Sequence, residues 1–153
     1  MPGAKNVANG ACGDRCNRRA LAGGSGVRRR GGRPLQTALT GAAECSAVGV
    51  CNLGDPDGSG TASLRLNPGQ EEICFELRVS DIDLPATGAH IHRAPAGFAG
   101  PIVVPLPSPT GELTIGCVSA ERDLIREIIR NPEQFYVNVH TAPFRAGAVR
   151  GQL

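Results

Sequence analysis

Glu72-Ile73-Cys74-Phe75-Glu76-Leu77-Arg78-Val79 alternates without a break, with Ile73, Phe75, Leu77 and Val79 on one face and Cys74, Glu76 and Arg78 on the other. A period of two is the mark of a β-strand with one buried face. Just upstream, Asn67-Pro68-Gly69-Gln70 consists of residues that turns prefer. Before that turn, Thr61 to Leu66 (TASLRL) alternates again. The two runs therefore read as an antiparallel hairpin.

Working outward, Leu35 to Ala42 alternates loosely, as a half-buried strand does. Gly88 to His92, Pro101 to Leu106 and Leu113 to Cys117 are three more short strands between loops rich in Pro and Gly. Phe135 to His140 and Ala148 to Leu153 bring the count to eight. One helix interrupts them: Ser119 is placed to cap it, Glu121 and Asp123 suit the positive end of its dipole, and Leu124, Ile125, Ile128 and Ile129 form one apolar stripe. Asn131-Pro132 stops it, because proline cannot continue the hydrogen-bond ladder. These elements predict an all-β fold, an antiparallel two-sheet β-sandwich of about eight strands with one short helix.

The chain has 153 residues, enough for one domain plus a tail. With no Trp, one Tyr and four Phe, the core falls to Val, Ile, Leu and Ala. The net charge of +2 hides a division. Residues 1–34 hold Lys5 and seven Arg against Asp14, a net +7, whereas residues 35–153 carry a net −5. The first segment also contains eight Gly and no apolar periodicity, so it is predicted to be a disordered basic tail, with the folded domain spanning 35–153. The acidic balance of that domain argues against nucleic acid as its partner.

No run approaches the roughly 18 apolar residues of a membrane span, so no transmembrane segment is expected. Nor is a signal peptide visible, since no apolar run of the required length follows the first basic residue. The six Cys point the other way, toward an oxidising compartment. There, Cys45 with Cys51 and Cys74 with Cys117 are the expected disulfides. Strict alternation puts Cys117 on the same side as Leu113 and Ile115, so the second bridge is expected to need a bulge or a strand end at Gly116. Cys12 and Cys16 lie in the tail, where metal or redox ligands would not be preorganised.

Several ordered motifs carry a family resemblance: Leu39-Thr40-Gly41-Ala42-Ala43-Glu44, Asp55-Pro56-Asp57-Gly58-Ser59-Gly60-Thr61-Ala62, Gly88-Ala89-His90-Ile91-His92, Gly97-Phe98-Ala99-Gly100-Pro101-Ile102-Val103-Val104, Phe135-Tyr136-Val137-Asn138-Val139-His140-Thr141 and Gly147-Ala148-Val149-Arg150-Gly151-Gln152-Leu153. Together they resemble the CHRD (chordin) domain over residues 35–153. The resemblance implies a β-rich extracellular or cell-envelope module with no catalytic activity, whose partner is a protein or a cell-surface component.

Two constellations offer further chemistry. Asp55, Asp57, Ser59 and Gly60 match the first positions of a calcium loop, but Leu66 stands where the bidentate Glu belongs, so a plain turn is expected. His90 and His92 must share a strand face, opposite Ala89 and Ile91. Tyr136, Asn138 and His140 oppose Phe135, Val137 and Val139, and Arg150 opposes Val149. If these strands are neighbours, His90, His92, His140, Asn138 and Arg150 make one polar patch on the outer face of a sheet. Three histidines on a β-scaffold can bind copper or zinc; the same groups can instead form a hydrogen-bonded polar cluster. The leading expectation is thus a binding or structural module without a cofactor, and the alternative is a copper or zinc protein using His90, His92 and His140.

Overall fold

The computed structural model describes residues 31–153. The expected disorder of the tail and the fate of Cys12 and Cys16 fall outside those residues, apart from its last few positions. The strands are β1 (Arg33–Thr40), β2 (Ser59–Asn67), β3 (Glu72–Ser80), β4 (Gly88–Arg93), β5 (Ile102–Leu106), β6 (Leu113–Ser119), β7 (Phe135–His140) and β8 (Val149–Gln152), with helix α1 (Arg122–Arg130) between β6 and β7.

All eight strands join one antiparallel sheet in the order β5-β4-β7-β8-β1-β2-β3-β6. The expected two-sheet sandwich is therefore corrected to a nearly closed barrel, open only between β5 and β6. The reason lies in the pairing of β8 with both β7 and β1, which gives the sheet continuous hydrogen bonding where a sandwich would have a gap. Alternation assigns each strand a buried face in either architecture.

That face lines the barrel. Leu39, Ala62, Leu64, Leu66, Ile73, Phe75, Leu77 and Val79 of β1 to β3 meet Ala89, Ile91, Val104, Val137, Val139 and Val149 in one core, and Ile125 and Ile128 of α1 join it. Leu124 and Ile129 pack at its margin, as the apolar stripe predicts. The helix start differs from expectation. Ser119 ends β6, and Glu121 occupies the cap position with no side-chain cap bond.

Strand β6 also turns over relative to its expected orientation. Leu113, Ile115 and Cys117 face outward, and Ile115 is 66% exposed. Gly116 is the inward residue, opposite Phe75, and its lack of a Cβ leaves room for that ring. No bulge is needed. Cys74 and Cys117 are directly opposed across β3 and β6, both on the outer face, and are joined by a disulfide.

Candidate metal centre

The register of the sheet assembles the polar residues. β4 pairs with β7 so that His90 faces Asn138 and His92 faces Tyr136, and β8 adds Arg150 beside Asn138 and Gln152 beside Tyr136. Period-two alternation sends Ile91, Val137 and Val149 into the barrel and turns these polar side chains outward. His140, opposite Gly88, reaches His90 diagonally. Ring centroids lie 4.9 Å apart for His90 and His140, 5.5 Å for His90 and His92, and 6.1 Å for His92 and His140.

This outer face is not the open patch that alternation alone suggests, because the loop from Ala94 to Gly100 lies over it. Arg150 Nη1 donates to the Phe98 carbonyl at 2.8 Å and Nη2 to the Pro95 carbonyl at 3.2 Å. Gln152 Nε2 donates to the Ala94 carbonyl at 3.0 Å. The Arg150 guanidinium lies over the Tyr136 ring at 3.5 Å, and Tyr136 in turn stacks on His92 at 4.7 Å with the planes 9° apart. Arg150 is 1% exposed, and Tyr136 and Asn138 are likewise buried. A second, polar core thus sits outside the barrel wall.

Two backbone carbonyls settle how the histidines present themselves. His92 Nδ1 is 2.8 Å from the Gly100 oxygen, and His140 Nδ1 is 3.0 Å from the Arg145 oxygen. A carbonyl only accepts, so each Nδ1 carries the proton and each Nε2 keeps its lone pair. His92 Nε2, His140 Nε2 and His90 Nδ1 are all buried without a hydrogen-bond partner. One ligand atom from each of the three histidines falls within 4.8 Å of the others. This is a donor arrangement that a single cation can bridge. Gly100 is required at its place, since a Cβ there would run into the Arg93 carbonyl.

The rings are tuned to stay neutral. Burial, with the charges of His140 and His92 adding to it, pushes His90 down to about 4. Burial also lowers His92, against the Gly100 carbonyl, and lowers His140, against the Arg145 carbonyl. A histidine depressed in the folded state binds more protons when unfolded, so its contribution to stability is full above the free-histidine value of about 6.5 and is lost as pH drops toward about 4. The buried Glu44 carboxyl, raised to about 7, acts in the opposite sense over an overlapping window. Thermal melts of metal-free protein from pH 8 to pH 4 should show wild type losing stability relative to His90→Gln as pH falls. A midpoint difference between the two proteins that stays constant across this window would contradict the neutral assignment.

Sequence reasoning missed four contributors: Tyr136 as the stacking platform, the carbonyls of Gly100 and Arg145, and Glu44. Glu44 is buried, and burial pushes its carboxyl up to about 7, against the pull of the Asn138 amide and the Arg150 charge. No signal in the sequence pointed to it, since no spacing rule connects residue 44 to residue 150.

The remaining candidates fall elsewhere. Cys45 and Cys51 form a disulfide that braces a loop against the cover, with Ala99 N–H donating to the Ser46 carbonyl at 3.1 Å. On this braced end, Val48 and Phe98 are 82% and 48% exposed, and Val50 is exposed beside them. Asp55 forms a local turn, its Oδ1 accepting from the Asp57 N–H at 3.3 Å, and Ser59 and Gly60 begin β2. Glu72 approaches Cys74 and Cys117 on the far side of the barrel, but both sulfurs are committed to their disulfide. Among the described residues, no helix is long and apolar enough to cross a membrane.

Residues 35–153 match the CHRD domain family. No curated protein and no solved structure matches the chain.

Proposed function

Because the chain belongs to the CHRD domain family, a family of generally non-enzymatic extracellular modules, we propose that its role outside the cytoplasm is to hold one copper or zinc ion on His90, His92 and His140. Two observations carry this reading together: each ring keeps one buried nitrogen without a hydrogen-bond partner, and one ligand atom of each histidine lies within 4.8 Å of the other two. Unsatisfied buried polar atoms are costly, on the order of 1 to 3 kcal/mol each. A cation held by the three rings would remove that cost for their nitrogens. The Nδ1 contacts of His92 and His140 to backbone carbonyls are the outer hydrogen bonds that orient metal-bound imidazoles.

Protein purified without an affinity tag and equilibrated with copper or zinc should retain about one ion per chain. His140→Ala should weaken binding by at least about 100-fold, with a far smaller change in the melting midpoint of the metal-free protein, because His140 is only partly buried. No retained metal and no heat on calorimetric titration with either ion would overturn the proposal.

A second reading, recognition of a protein or cell-surface component, draws on the exposed Val48, Val50 and Phe98 at the disulfide-braced end. Exposed apolar clusters of this kind often mark interaction sites. The double change Val48→Ser with Phe98→Ser should abolish retention of labelled domain on the surface of the producing cells, without altering its melt. Equal retention of both proteins would remove this reading.

A further inference from the structure

Resting on the metal reading above, we infer that the three-histidine site selects cuprous copper, Cu(I), over zinc and cupric ions. The selection is electrostatic and comes from what surrounds the ligands.

All three donors are neutral imidazole nitrogens, and among the described residues no carboxylate or thiolate shares the cluster. The nearest permanent charge behind His92 is positive. Arg150 sits on Tyr136, and Tyr136 sits on His92. Among the described residues, the hydrogen bonds of Arg150 go to neutral oxygens: the carbonyls of Phe98 and Pro95, and Gln152 Oε1 at 3.1 Å. Burial lowers its pKa, yet a guanidinium does not lose its proton in a protein. Glu44 reaches Arg150 from another side, and burial pushes its carboxyl up to about 7, so at neutral pH it offsets the guanidinium only in part.

A cation entering this pocket leaves water for a site whose three ligands are all neutral. The Born cost of that transfer grows with the square of the charge, so a divalent ion pays about four times what a monovalent one does. Repulsion from Arg150 scales with the ion's charge as well. Zinc in structural sites takes four ligands, and in three-ligand sites it completes its shell with a water that it tends to ionise. Cu(I) has a filled d shell and is satisfied by three neutral donors. Among first-row ions that imidazole binds, it is the monovalent one.

The test is competition of Cu(I), under reducing anaerobic conditions, against a chromophoric chelator, beside calorimetric titration of the same protein with Cu(II) and with Zn(II). Cu(I) should bind at least about 100-fold more tightly than either divalent ion. For copper that ratio raises the one-electron reduction potential by about 120 mV over the aqueous couple, which voltammetry reads independently. Asn138→Asp provides the converse. Asn138 lies opposite both His90 and Arg150, so an aspartate there puts an anion between the ligands and the guanidinium. The variant should gain affinity for zinc and lose the raised potential.

Binding of zinc or Cu(II) as tight as that of Cu(I) in the wild type would overturn the selectivity while leaving a metal site in place. Failure of all three ions to bind would overturn the site itself. Should the aspartate variant not fold, the wild-type ratio alone decides.

Discussion

Arg150→Ala is expected to cost the domain about 4 kcal/mol of stability, a large share of the roughly 5 to 15 kcal/mol typical of a single domain. The arginine is the largest fully buried side chain outside the barrel, and its guanidinium holds the Phe98 and Pro95 carbonyls and covers the Tyr136 ring. Truncation leaves two carbonyls without their donor and opens a void beneath the loop from Ala94 to Gly100. Metal binding should fail in the same variant, because Gly100 is the residue that orients His92. Arg150→Lys should recover only part of the stability, since an ammonium cannot lie flat on Tyr136 while reaching both carbonyls. Urea midpoints for the three proteins measure this. A midpoint for Arg150→Ala within the error of wild type would mean that the loop is held by something else.

The second large effect concerns the bridge between β3 and β6. Cys74 and Cys117 are separated by 43 positions, and a crosslink closing a loop of that length restricts the unfolded chain by about 4 kcal/mol on a chain-entropy estimate. The Cys45 to Cys51 bridge spans 6 positions and on the same estimate contributes about 2 kcal/mol. Replacing Cys74 and Cys117 together by Ala should therefore lower the midpoint well below that of the Cys45 and Cys51 double variant. It should also loosen β6, which is paired on one side only. Faster amide exchange confined to β6 and the start of α1 would show that. Equal midpoints for the two double variants would refute the ranking.

Much of the wall was legible in the sequence, because alternation is a local property: Ile73, Phe75, Leu77 and Val79 can only be buried together. Closure was not legible. The same parity serves a sandwich or a barrel, and what distinguishes them is the pairing of β8 with β1 at Thr40 and Arg150, a contact between distant parts of the chain. Leu113 and Ile115 misled for a related reason. Hydrophobicity marked them as core, whereas the inward position under Phe75 is taken by Gly116, where even a Cβ would crowd the ring at 3.0 Å. The common face of His90, His92 and His140 followed from parity plus adjacency of strands. The cover over them could not follow, since the loop from Ala94 to Gly100 has no period, and its position is dictated by Arg150 and Gln152, more than fifty residues away.

β8 is the last of the eight strands to be synthesised, yet it lies in the middle of the sheet, between β7 and β1. Without it the strands fall into two separately paired ribbons, β5-β4-β7 and β1-β2-β3-β6. The same short strand carries Arg150 and Gln152, which pin the loop from Ala94 to Gly100. Sealing the apolar core and closing the lid over the histidines are thus one act, performed by one strand.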